Sequence, residues 1–360
     1  MRTGTANLPL HGGKAPYWLF TRMTKLSREI ISLMVAEFGT AQVLARISDP
    51  YWFQSLGCVL GFDWHSSGVT TTVCGAIKEG LKGLEGELGL FVAGGKGRFS
   101  RKTPDEIREY GERYALPKDV EALVYASRMS AKVDSAAVQD GYQLYHHVFI
   151  FDKDGRWAVV QQGMNDDNGW ARRYHWLSES LSDFVCEPHA AVCSDSHGDV
   201  VLNMVAREAE DSRRLAASLA SERPENLVKE IQRMQELTLP KHHAVLISDI
   251  NPKSIEKILI KTYERKPEDF QKLLELQGVG PKTLRALALI ADLVYGAPMS
   301  IRDPATYSFA HGGKDGHPYP VDRKTFDRSI EIIKRAVESA KVGHSEKAQA
   351  IRRLSRFYAF

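Results

Sequence analysis

The sequence predicts an α+β protein: a mixed α/β N-terminal domain with a β-hairpin-containing sheet, then an all-α C-terminal domain built around a helix-hairpin-helix. Three observations predict it. Residues 143–162 alternate β-forming side chains around one turn, the chain from about residue 199 onward repeats apolar residues at helical spacing, and charge divides unevenly between the two parts. Residues 221–360 hold 24 of the 48 Lys and Arg but 18 of the 45 Asp and Glu, a net +6, against −3 for the rest. A basic module beside a slightly acidic one suits contact with a polyanion. The expected domains are 1–222, mixed and catalytic, and 223–360, helical.

Taken in order, Leu26 to Phe38 carries apolar residues at helical spacing, and Asp49-Pro50 opens a second helix. Ser66 to Thr72 leads into an apolar helix through Ala76 and Leu81. Gly94-Gly-Lys-Gly97 reads as a loop, and Thr103-Pro-Asp-Glu106 starts a helix with proline and acids in its first turn. Leu144 to Phe151 and Trp157 to Gln161 are strands joined by the turn Asp152-Lys-Asp-Gly155, and a further strand runs through Ala190 to Cys193. Helices then follow at 199–221, 224–237, 252–265, 267–276, 282–295, 322–341 and 345–358. The tetrapeptide His-Gly-Gly-Lys occurs at 11–14 and 311–314.

Several classes are set aside by composition. No apolar run is expected to reach the roughly 18 residues that span a bilayer, and the first residues lack the apolar stretch of a signal peptide. Cys58, Cys74, Cys186 and Cys193 are too few and scattered for a disulfide framework, and Cys186-Glu-Pro-His189 with Cys193 lacks a zinc spacing. The expected setting is the reducing cytoplasm, on the nucleoid, with no membrane partner.

The strongest local signal is Leu273 to Leu287, in which a short apolar helix meets Gly278-Val279-Gly280 and a second helix opens on Pro281, Lys282 and Thr283. Two glycines permit a tight turn and the close approach of a phosphate to the backbone. Proline suits the first helical position, and the free amides there form an anion site to which Lys282 adds a full charge. Such contacts grip a nucleic-acid backbone and carry no sequence information. Val279, pointing inward, pins the bend.

Residues 134–176 are dense in groups that can do chemistry. Asp134, Gln139, Asp140, His146, His147 and Gln162 are the candidates for acid–base phosphoester cleavage or for one or two metal ligands. Strand alternation sends His146 and His147 to opposite faces. Arg172 and Arg173 are expected to clamp phosphate, with Tyr174, His175 and Trp176 at the same surface, the aromatic rings placed to stack on an exposed base. His11 and Lys14, and separately Ser66 to Thr72, read as anion-binding loops.

The Gly278–Thr283 segment resembles the helix-hairpin-helix of the endonuclease III-like DNA glycosylases. That resemblance implies a Schiff-base role for Lys282 and a catalytic role for Asp322 in Pro320-Val-Asp-Arg-Lys-Thr-Phe326, although the interval between the two is about twice the family's and Asp322 equally satisfies a helix N-cap. Over nearly its whole length the chain, through Gly4 to Pro16, Val133 to Tyr142, Ala171 to Trp176 and Phe309 to Asp322, is similar to a prokaryotic family catalogued as a domain of unknown function. The resemblance implies an endonuclease acting on oxidised pyrimidines in DNA, notably 5-hydroxyuracil. The expected partner is therefore damaged double-stranded DNA, with Mg²⁺ or Mn²⁺ the cofactor left open. A glycosylase with lyase activity and a non-catalytic DNA-binding protein are the alternatives.

Overall fold

The computed structural model of the chain describes residues 15–62, 67–116, 119–167, 169–194, 201–239, 241–248, 250–306 and 323–339, together with 343, 347, 350 and 351. The fold is mixed, with many helices around a small antiparallel sheet. α1 (Tyr17–Ser48) bends at Gly39, whose φ of 76° lies outside helical space. Asp49 caps α2 (Pro50–Leu60) by accepting from the amides of Tyr51 and Trp52 at 2.8 and 3.0 Å, a cap worth about 1 kcal/mol. α3 (Gly68–Leu81) and the single turn α4 (Glu85–Leu88) complete the first helical layer.

β1 (Leu90–Lys96) comes next, where a loop was expected at Gly94–Gly97; only Gly97 begins the turn that follows. α5 (Thr103–Tyr114) and α6 (Val120–Lys132) lead into a wide π-type turn, Val133–Ala137. After the two-residue β2 (Val138–Gln139), the hairpin β3 (Gln143–Asp152) and β4 (Trp157–Asn165) stands where the sequence placed it. β5 (Trp170–Leu177) and β6 (Ala191–Cys193) finish a five-stranded sheet of order β1-β3-β4-β5-β6, and β7 (Leu202–Asn203) pairs β2 apart from it.

Strand alternation divides the interior in two. Val92, Val148, Ile150, Ala158 and Val160 face a core shared with α1, α2 and α3. Phe91, Phe149, Phe151, Val159 and Trp176 face the other way, toward α5, α6 and the later helices. Those are α7 (Glu210–Leu219), α8 (Pro224–Glu236), α9 (Lys241–Ser248), α10 (Pro252–Arg265), α11 (Phe270–Glu275) and α12 (Pro281–Tyr295). One apolar cluster runs without a break from Phe149 on the sheet to Ala216, Ile231, Leu259 and Leu287 on these helices. α13 (Arg323–Ser339) returns to the opposite layer and sets Ile333, Ala336 and Val337 against α1 and α2.

The helix expected at 199–221 begins only at Glu210, because 201–206 instead carries β7 and a turn. Among the described residues α1 alone is long and apolar enough, by length and composition, to cross a membrane; 33% of its most apolar window is buried within the fold.

Candidate functional site

A cleft of about 720 Å³ opens between α6, the first residues of β3 and the α11–α12 bend. Its walls include Ser127, His146 and His147 on one side and Leu276, Gln277 and Gly278 on the other. Arg101, Arg128 and Lys132 add three basic side chains. The two sets of candidates singled out along the sequence, the glycine bend and the histidine pair, thus border one space.

The bend is a turn in which the Val279 amide donates to the Leu276 carbonyl at 3.2 Å. Gly278 takes the third position with φ 96°, the left-handed region that a type II turn demands there. Gly278 is exposed, whereas Val279 is buried at 1% and anchors the turn as expected. α12 starts at Pro281 with Gly280 before it and no side chain capping the helix start. Lys282 is exposed and Thr283 buried in that first turn.

Hydrogen bonds fasten the bend to the wall bearing the histidines. The Lys132 ammonium donates to the Val279 carbonyl, and Gln139 donates Nε2 to the Pro281 carbonyl at 3.0 Å. Tyr125 donates to Glu275 and accepts from Gln271, both at 2.6 Å. Burial lowers the Lys132 pKa below the ordinary lysine value.

Behind the cleft wall lies a continuous chain of buried hydrogen bonds. Ser127 Oγ is 2.9 Å from Nε2 of His147, and Nδ1 of His147 is 2.9 Å from Oε1 of Gln161. Gln161 donates Nε2 to Asp134 at 2.6 Å. Asp134 also accepts from Trp176 Nε1 at 3.0 Å and from His189 Nε2 at 2.5 Å. These contacts fix the tautomer of His147. A carboxylate only accepts, so the amide of Gln161 turns its nitrogen to Asp134 and its oxygen to His147. Nδ1 must then carry the proton, and the lone pair on Nε2 accepts from the Ser127 hydroxyl. Burial pushes the His147 pKa down to about 4, so the ring is neutral near pH 7. Asp134 reaches this position from the π-type turn, a geometry common at functional sites.

Asp140 lies in a second buried cluster. Arg172 donates to it at 2.7 Å and to Asp303 at 2.8 Å, and the Tyr174 hydroxyl donates at 2.8 Å. Burial raises the Asp140 pKa while Arg172 opposes that rise. Arg173 donates to Gln54 at 3.2 Å and lies over the Phe53 ring. His175 Nδ1 is 3.2 Å from the Ile47 carbonyl. Arg172, Arg173, Tyr174, His175 and Trp176 are all 0% exposed, which corrects the expectation that this run forms a nucleic-acid surface: side chains enclosed by α2, the sheet and Asp140 hold the interior together instead of meeting a strand.

His146 and Gln162 pair across β3 and β4, on the sheet face opposite His147. Gln162 donates to the Ser67 carbonyl at 2.8 Å and to the Tyr145 hydroxyl. His146 is 1% exposed, neither ring nitrogen finds a partner among the described residues, and burial pushes its pKa down to about 3. Both histidines border the cleft because they sit at the end of the strand, beside the irregularity between Leu144 and His146. His11, Lys14, Asp322, Ser66 and both His-Gly-Gly-Lys tetrapeptides lie outside the described residues.

Sequence reasoning missed Ser127, Gln161, His189 and Asp303 as partners of these groups. Ser127 stands in a helix that gave no local signal, and His189 was weighed only as a zinc ligand. Among the described residues no three His, Cys, Asp or Glu side chains gather in a way that could hold a metal ion. The four cysteines are free thiols.

Residues 4–321 match the family model described as "Protein of unknown function (DUF763)", and the chain belongs to that family. No curated protein and no solved structure matches it in the same comparisons.

Proposed function

We propose that this family member is a DNA repair enzyme, a lesion-specific endonuclease that cuts strands carrying an oxidised pyrimidine such as 5-hydroxyuracil. One observation carries the reading: the glycine bend and the Ser127–His147 pair, backed by Gln161 and Asp134, border the same cleft, with Arg101, Arg128 and Lys132 along it. In this reading α11, the bend and α12 act as a helix-hairpin-helix. The amides at the start of α12, which no side chain caps, and the charge of Lys282 take a phosphate, and the backbone comes close because Gly278 and Gly280 have no side chain. A space of this size admits one nucleotide turned out of the stack, a movement that damage makes less costly. The protein would then work in the cytoplasm, on the nucleoid.

A second reading, a glycosylase with lyase activity, is favoured by Lys132, a lysine on the cleft wall beside the glycine bend whose pKa burial lowers from the ordinary lysine value. The test is a panel of oligonucleotide duplexes, intact or carrying single oxidised bases, incubated with and without EDTA. Expected is one nick near the oxidised pyrimidine and none in the intact duplex. Covalent capture of the protein on the lesion strand by borohydride would replace hydrolysis with the lyase route. Binding without any cut would leave a non-catalytic DNA-binding protein.

A further inference from the structure

We propose that Ser127 is the nucleophile of this cleft and His147 its base, so that a phosphodiester is opened through a phosphoserine formed on α6. The inference deepens the endonuclease reading and rests on it.

The geometry has the parts that an activated hydroxyl needs. Ser127 Oγ is 2.9 Å from Nε2, within proton-transfer reach. The ring presents its lone pair there because Gln161, held by Asp134, occupies Nδ1 at 2.9 Å. Asp134 in turn receives Trp176 and His189, so the orienting end of the chain is fixed from three sides. Ser127 is one of the residues that border the cleft and is only 2% exposed, so its hydroxyl, turned to His147, lies beside that space and shielded from bulk water. Back-bonding to the preceding turn is a common use of a helical serine hydroxyl, and Ser130, on the same helix, shows it by donating to the Ser127 carbonyl at 3.1 Å. Ser127 instead crosses to the sheet.

The step balances without a co-reactant other than water. The oxygen of Ser127 bonds to phosphorus, its proton passes to Nε2 of His147, and one phosphorus–sugar oxygen bond breaks. The departing oxygen takes that proton from His147. Water then attacks the phosphoserine and gives a proton to Nε2 as the serine–phosphorus bond opens, and Ser127 recovers its proton from the ring. An anionic phosphate in the cleft favours the imidazolium formed midway, because it faces a ring that burial otherwise keeps neutral. Arg128 and Lys132 stand along the same wall for the charge that develops on the phosphoryl oxygens.

The full-length protein is treated with a fluorophosphonate, which phosphonylates activated serines, and the adduct is located by peptide mass spectrometry. In parallel, nicking of an oxidised-pyrimidine duplex is measured for wild type, Ser127→Ala, Ser127→Cys and His147→Gln. Each variant is first checked for a native circular dichroism spectrum. Expected is one adduct on Ser127, its formation slowed roughly 100-fold or more in His147→Gln, with nicking down by a similar factor in Ser127→Ala. If Ser127→Ala does not fold, Ser127→Cys serves: its thiol is expected to alkylate faster than those of the four native cysteines. No adduct on Ser127 of the folded wild type overturns the proposal. Undiminished nicking by Ser127→Ala overturns it while leaving the endonuclease reading in place. An adduct on Ser127 with no cleavage of any duplex keeps the activated serine and removes DNA as its substrate.

Discussion

Oε1 of Gln161 stands 2.9 Å from Nδ1 of His147, and this bond decides which imidazole nitrogen faces Ser127. Gln161→Leu removes it, takes a donor from Asp134 and leaves buried polar groups unpaired. A loss of about 2–3 kcal/mol in stability is expected, measured by urea unfolding. Gln161→Glu tests the electrostatics instead. The new carboxyl would meet Asp134 across the 2.6 Å that the Gln161 amide now spans, so the two share one proton. The negative charge of that pair, now beside Nδ1–H, favours the charged ring and raises the His147 pKa from its value near 4, and the acid limb of the nicking profile should move to higher pH. An unmoved limb would separate His147 from the proton transfer.

Acid should unfold the protein earlier than its carboxylates alone require. His146 and His147 are held near pKa 3 and 4 by burial, against about 6.5 in an unfolded chain. A folded pKa below the unfolded one means that the contribution is fully present above about pH 6.5 and is lost as pH falls toward the folded values. Between pH 6.5 and pH 5 this amounts to about 2 kcal/mol for each histidine. Denaturant midpoints at pH 7 and pH 5 check it, and His147→Gln should shrink the difference by one histidine's share.

The hairpin β3–β4 was legible because its alternation and its turn are local. Asp152 accepts from the amides of Asp154 and Arg156, and Gly155 sits at φ 84°, as a short polar turn requires. β5 was not legible. Its Arg172, Arg173 and His175 look like a wet surface until their partners are known, and those partners, Asp140, Asp303, Gln54 and Ile47, lie 32 to 131 residues away in the chain. The same separation hid the site. Asp134 and the histidines could be noticed by type, and Gln161 faces His147 across the hairpin itself, but Ser127 joins them only when α6 packs on the sheet. Gly278–Val279–Gly280 could be read because a turn is a local object, whereas its docking onto Lys132 and Gln139 could not.

Arg172→Met should destabilise the protein by about 3–5 kcal/mol, since it leaves Asp140 without its fully buried cation and removes the guanidinium donor from Asp303. The Asp140→Asn, Arg172→Met double variant should recover part of that loss, because no uncompensated carboxylate then remains at position 140. Thermal denaturation of Arg172→Met, Asp140→Asn and the double variant measures it. A single variant no less stable than wild type would show that the pair carries nothing.

Lys282 gives the sharpest test of the phosphate contact proposed at the start of α12. It is exposed in the first turn of α12, next to the bend. Lys282→Ala should weaken binding to every duplex by a similar factor and lower the slope of log K against log salt by about one. The stability of the protein should stay within about 0.5 kcal/mol of wild type. Fluorescence anisotropy across a salt series supplies the slope, and an unchanged slope removes Lys282 from the phosphate contact.

Gly94 separates a close backbone approach from an ordinary loop glycine. It lies in β1 opposite Val148, with φ 94°, and both its backbone groups serve an ion pair: its amide donates to Glu106 at 2.6 Å, and its carbonyl accepts from Lys78 at 2.7 Å. A Cβ there would stand 2.2 Å from the His147 carbonyl oxygen and 2.6 Å from Oγ1 of Thr103. A backbone oxygen inside a ladder cannot step aside as a side-chain tip can, so Gly94→Ala must either part β1 from β3 or displace His147. Gly97, at φ 60° with nothing within 4 Å of its Cβ position, supplies the control. Gly97→Ala should cost about 1–2 kcal/mol, the left-handed penalty alone, and Gly94→Ala about 4 kcal/mol or more. Equal unfolding midpoints for the two variants would show that β1 does not press on His147, and the cleft wall would then owe its position to α6 rather than to the sheet edge.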